Sequence, residues 1–146
     1  MSHDDALTLS NPEGLYDPTE NSYSHLAQVA PNSRLILVAG QGGENVHGEL
    51  PADFHLQVRW ALANLKVAVN AAGAELGDVA KLTTLIVDHD EDKLAILGEE
   101  LKAAWGDAAL PTQTLIPVPR LALEGMLFEV EALAVLPQDA TMAEML

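Results

Sequence analysis

Cysteine is absent from this 146-residue chain, which removes disulfides and thiol catalysis and fits a reducing compartment. Basic residues are scarce: seven Lys and Arg stand against 22 Asp and Glu, for a formal net charge of −15. Such a surface repels polyanions, so neither nucleic acid nor an anionic membrane is an expected partner. The few cations are also scattered, without the track that a phosphate backbone requires. No apolar run approaches the length that crosses a bilayer. The opening "MSHDDALTLS" has no basic region followed by an apolar stretch, so no signal peptide is expected. No G-x-S-x-G occurs, so no serine has the setting of a nucleophile elbow. His25, His47, His55 and His89 are not spaced as a ligand motif. His47 with Glu44 and Glu49 is the one conceivable metal cluster, but loop residues of these types are ordinarily just solvated, and no metal is expected. What remains is an acidic, soluble, cytoplasmic protein of one domain spanning 1–146. With 49% hydrophobic residues it can build a core.

The core elements are legible from periodicity. "YSHLAQV" (23–29) and "RLILVAG" (34–40) read as strands, and "APNS" between them has hairpin-turn chemistry. Before them, "NPEGLYDPTE" is rich in turn residues and is expected to be irregular. "GQGGENVHGELP" is glycine-rich but has neither the spacing nor the lysine of a phosphate loop. It is read as a tight connection into a helix that opens near Asp53. Phe54, Val58, Ala61, Leu62, Leu65, Val69 and Ala72 then recur at helical spacing, and Gly73 is placed to end the helix. "DVAKLTTLIVD" (78–88) is β-branched and strand-like. A second helix follows, with acids in its first turn around His89, Leu94, Leu97, Leu101 and Ala104 on one face, and Gly106 after its end. Trp60 and Trp105 lie on the two helices, and packing is expected of each. Strands at about 112–118 and 126–136 complete a core of about 20–137. The short acidic tail "QDATMAEML" is expected to fray.

Each helix has a single apolar stripe, so both must cover the same side of one mixed sheet. The final strand "FEVEALAVL" puts Phe128, Val130, Ala132 and Ala134 on one face, and Glu129, Glu131, Leu133 and Val135 on the other. The side away from the helices is then expected to carry Glu129, Leu133 and Val135 with Leu82, Thr84 and Ile86, or with the neighbours of those three. That face is too apolar for water and too polar for a closed core. Burial against another copy of the chain resolves the conflict.

Over about residues 20–137 the chain resembles the Rid (YjgF) family of reactive intermediate and imine deaminases, also labelled liver perchloric-acid-soluble endoribonucleases. The resemblance rests on "YSHLAQV", "AGQGG", the stretch from Gly48 to Thr83, "LPTQT" and "FEVEALAVLP". It implies an α/β (α+β), chorismate-mutase-like fold in a homotrimer, with small-molecule clefts between subunits. It also implies cofactor-free hydrolysis of enamines and imines, such as 2-aminoacrylate, to 2-oxo acids and ammonia. Carried over by position, Glu129 is the catalytic carboxylate that orients water, Tyr23 lines the cleft, and Gly40 offers backbone. Leu115 joins them as an expected substrate contact, and Glu131 is assigned no chemistry. Two residues after Pro111, where the family places a carboxylate-binding arginine, this chain has Gln113. A glutamine amide donates hydrogen bonds but lacks the charge and planar fork of arginine. Arg120 lies seven residues on, an odd offset that would turn it to the opposite face of an unbroken strand. Two readings therefore stand: a deaminase of altered substrate, or a non-catalytic trimer that binds or senses a small ligand.

Overall fold

A computed structural model gives the structure of the protein, described here for residues 6–138. Helix α1, Phe54–Ala71, begins where the Asp53 side chain accepts the Leu56 amide at 3.1 Å. It ends before Gly73, whose φ of +85° suits glycine. Its buried face comprises Phe54, Gln57, Val58, Ala61, Leu62, Leu65 and Val69. Helix α2, Glu91–Trp105, is capped in the same way by Asp90, which accepts the Lys93 amide at 2.8 Å, and it stops at Gly106. Trp105 is buried as expected, whereas Trp60 is 39% exposed on the outer side of α1, contrary to the packing role inferred for it.

The strands are β1 (Leu7–Ser10), β2 (Leu26–Val29), β3 (Arg34–Gln41), β4 (Val79–Val87), β5 (Thr112–Val118) and β6 (Phe128–Leu136). β3, β6, β4 and β5 form one mixed sheet in that order, with β4 and β5 parallel across the α2 crossover and the other pairs antiparallel. β1 and β2 pair as a separate antiparallel ribbon. The N-terminal segment is thus not wholly irregular, because Leu7–Ser10 is a strand.

Both helices pack on one side of the four-stranded sheet, against Val79, Leu82, Ile86, Phe128, Val130, Ala132, Ala134 and Leu136. For β4 the structure decides between the two expected phases in favour of the neighbours. Leu82, Thr84 and Ile86 are fully buried on the helix side, and their neighbours Lys81, Thr83, Leu85 and Val87 take the open side. A bulge between Val79 and Lys81 sets this phase. On the open side, the ribbon covers Val135 and Ala80 with Ala6 and Leu7. Leu35, Leu37 and Ile116 stay exposed, Leu37 at 80%.

Two polar clusters hold the layers together. Gln57, fully buried in the α1 stripe, donates its amide hydrogens to the carbonyls of Pro51 (2.8 Å) and Gly125 (2.9 Å) and accepts the Leu127 amide at 2.8 Å. One side chain thereby anchors the loop after β3 and the loop before β6. Gly43 is needed beside it, since a Cβ there would lie 2.7 Å from the Gln57 Cα.

Between the helices, buried Glu100 accepts hydrogen bonds from Arg59 Nη2 (2.9 Å) and from His55 Nε2 (2.6 Å). The Arg59 hydrogen bond, helped by His55 and opposed by burial, holds the Glu100 carboxyl below the ordinary glutamate range. A carboxylate with a depressed folded pKa stabilises the fold above its unfolded pKa, and that contribution is lost as the pH falls through the folded value. Glu100→Gln is expected to cost about 1–2 kcal/mol near neutral pH. In urea denaturation the gap between wild type and variant should close as the pH drops below about 4.

Candidate functional site

The residues singled out from the sequence do not gather on one face of the sheet. Glu129 and Gly40 lie together on the open side. On β6, Glu129 stands across from Leu85 on the open side and is half-buried. Pairing between β3 and β6 slips between Val38 and Gln41, so Ala39 and Gly40 form a bulge beside it. A Cβ on Gly40 would lie 2.2 Å from Glu129 Oε1 and 2.7 Å from its carboxyl carbon. The carboxylate therefore lies directly on bare Gly40 backbone, a position that any side chain there would take. Among the described residues no donor bonds this carboxylate. Farther along the same face, a cavity of about 360 Å³ is lined by Leu37, Ala39, Lys81, Thr83, Glu131 and Leu133. Lys81 is drawn aside there, with Nζ donating to Thr114 Oγ1 at 2.8 Å.

Gln113 and Leu115 lie on the helix side of β5, and Tyr23 belongs to a segment tied to the start of that strand. Ser24 ties the segment carrying Tyr23 to the start of β5: its amide donates to the Pro111 carbonyl at 3.0 Å and its hydroxyl to the Leu110 carbonyl at 2.6 Å. Ser22 Oγ donates to the Gly98 carbonyl of α2 at 3.3 Å. In "TQT", Thr112 and Thr114 hold β5 to its neighbour, and the Thr112 hydroxyl donates to the Ala80 carbonyl at 2.6 Å. Gln113 sits in register with Leu82 and turns to the helix side. There the fully buried Thr84 hydroxyl donates to Gln113 Oε1 at 2.7 Å. That bond orients the amide so that both Nε2 hydrogens are left without an acceptor among the described residues. Leu115 packs against the helix-side core. Tyr23 itself stands in a cluster of perpendicular rings with Tyr16 and His25.

Within the chain these residues do not form a single cleft. β4 separates β5 from β6, and Gln113 and Glu129 point to opposite sides. Arg120 lies beyond the end of β5, exposed, with Nε donating to the Leu121 carbonyl at 3.1 Å, and it makes no bond to Gln113. The conceived metal cluster is not assembled either. Asn45 organises that loop by accepting the His47 and Glu49 amides and donating to Glu49 Oε1. Among the described residues no three metal-ligating side chains converge. His89 precedes the capping Asp90, as inferred, but its Nδ1 is buried with no partner among the described residues.

A mixed sheet layered by two helices, with a bulged strand exposing backbone beneath a strand-borne carboxylate, defines a class of small α/β proteins. Residues 16–136 match the family model described as Endoribonuclease L-PSP. The chain belongs to this family, whose members are also called YjgF or Rid proteins. It is 33% identical over 102 residues to the 2-iminobutanoate/2-iminopropanoate deaminase of Escherichia coli K12, covering 69% of this chain and 79% of that protein. The Rid-family protein YyfB from Yersinia pestis superposes with a TM-score of 0.85 at 34% identity, over 90% of this chain and 99% of that one. Escherichia coli TdcF with bound serine superposes with a TM-score of 0.63 at 30% identity, over 87% of this chain and 92% of that one.

Proposed function

We propose that this protein is an imine or enamine deaminase that acts as a homotrimer, in which Gly40 and Glu129 of one copy complete a cleft with Tyr23, Gln113 and Leu115 of the next. The observation that carries the reading is the Glu129 carboxylate, free of donors and resting on bare Gly40 backbone. A carboxylate so placed accepts a proton from water as its oxygen attacks the imine carbon. The imine nitrogen takes up a proton, the C–N bond of the resulting carbinolamine breaks, and ammonia leaves with a carbonyl product. Water and imine balance ammonia and carbonyl, so the reaction asks for no redox partner. The exposed Leu35, Leu37 and Ile116 supply the apolar surface that a second and third copy would cover. A deaminase relative named for 2-imino acids supports the reaction class.

Gln113 sets the substrate. Its two free amide hydrogens suit a neutral acceptor, such as a carboxamide or ketone oxygen, better than a carboxylate, which gains most from a charged fork. An uncharged imine also enters a protein of charge −15 without repulsion. The same charge disfavours ribonuclease activity, whatever the family label. The test is ammonia release from 2-iminopropanoate generated in situ and from its carboxamide analogue, with the mass in solution read by light scattering. Faster turnover of the amide by a trimer is the expected result, and a monomer that turns over neither sinks the reading. The alternative, a non-catalytic ligand-binding or regulatory trimer, draws on the neutrality of Gln113 and on the serine-bound state of TdcF. Binding of either compound without ammonia release would establish it instead. Among the described residues no helix is long and apolar enough to cross a membrane.

A further inference from the structure

We infer that Tyr16 is a positioning residue for Tyr23, fixing the direction in which the Tyr23 phenol meets a ligand; the ligand part of this rests on the cleft proposed above. The segment 11–18 leaves the end of β1 and returns over Tyr23 as a strap. It is fastened along its length: Asn11 Oδ1 accepts the His25 amide at 2.9 Å, and Asp17 Oδ1 accepts the Thr19 amide and hydroxyl at 3.0 and 2.8 Å. At its centre the Tyr16 carbonyl accepts a hydrogen bond from His25 Nε2 at 2.7 Å. The phenols of Tyr16 and Tyr23 are hydrogen-bonded to each other. The Tyr16 ring meets Tyr23 edge-on at 6.4 Å and His25 at 5.0 Å, and Tyr23 and His25 are 5.4 Å apart.

Tyr16 is 61% exposed, so burial does not explain its place. Its phenol could be satisfied by water, yet it is directed at the one other tyrosine of the chain. A phenol has one proton to give and can also accept. Whichever phenol donates, the Tyr23 oxygen is fixed by the contact: as acceptor it keeps its own proton for a third group, and as donor it presents its remaining lone pairs. The contact thus converts a freely rotating hydroxyl into an aimed one, and preorganised donors of this kind act where charge develops.

Because the chain has only two tyrosines, 3-fluorotyrosine labelling of the full chain yields two ¹⁹F resonances that single variants assign. Tyr16→Phe keeps the ring and the strap carbonyl and removes only the hydroxyl. It is expected to shift the Tyr23 resonance in the absence of any ligand, and Tyr23→Phe to shift that of Tyr16. In ammonia release from 2-iminopropanoate or its amide, Tyr16→Phe should lower kcat/KM about fivefold, mainly through kcat, the size of effect one hydrogen bond carries. An unmoved Tyr23 resonance overturns the inference whatever the activity. A moved resonance with unchanged kcat/KM in an active protein overturns the positioning role. If wild type turns over neither compound, the proposed function fails, and the inference about Tyr16 is then decided by the resonances alone.

Discussion

Glu129→Gln is expected to slow imine hydrolysis by about 100- to 10,000-fold, the range usual for loss of a positioned general base. Glutamine fills the same space above Gly40, where a Cβ would meet the carboxylate at 2.2 Å, so the bulge keeps its shape. What the variant loses is the capacity to take a proton from water. No hydrogen bond within the described structure depends on the carboxylate, so the urea midpoint should stay within about 0.5 kcal/mol of wild type. Ammonia release and urea denaturation on the same preparation separate chemistry from folding. If rate and ligand binding both survive, the catalytic assignment is wrong.

Gln113→Arg should act in the opposite direction, raising kcat/KM for carboxylate-bearing imines by about 10- to 30-fold. A guanidinium supplies two parallel charge-assisted bonds, and each 1.4 kcal/mol gained is a factor of ten. The same change should reduce turnover of a neutral amide substrate, because the new cation must be desolvated without a counter-charge. It also carries a structural cost. The fully buried Thr84 hydroxyl loses its acceptor on Gln113, so a destabilisation of about 1–2 kcal/mol is expected in urea. Kinetics with the two substrates in parallel decide the matter. Equal effects on both would mean that position 113 does not meet the end of the substrate that differs.

How much of this was legible in the sequence varies from element to element. Helix α1 could be read nearly to the residue, because its stripe from Phe54 to Val69 is long and its ends carry a capping aspartate and a glycine. Strand β1 could not, since four residues hold too little alternation and their partner β2 lies beyond an irregular strap. The face of β4 stayed open between two phases because a bulge at its start sets the alternation, and bulges of this kind leave no mark in composition. Trp60 looked like a core residue by type, but it sits on the outer side of the helix, away from the Ala61–Leu65 stripe. Gln57 did leave a signal: a lone amide beside Phe54 and Val58 in an apolar stripe asks for buried backbone partners, and it has three. The candidate site residues could be named from the sequence by type and position. That Gln113 and Glu129 face opposite sides of the sheet could not, because it depends on the register of three strands at once.

The Gln57 anchor also bears on motion. The loops it fastens flank Gly40 on one side and the head of β6, with Glu129, on the other. Neither can swing out alone without leaving a buried amide unpaired, so the backbone around Glu129 is not built to move as a lid. In the trimer proposed above, any opening that admits a ligand would therefore come from the strap over Tyr23 or from the copies parting. By the same logic the Leu127 amide, bonded to a fully buried side chain, is expected among the slowest to exchange its hydrogen, released when the whole fold opens rather than by local fraying.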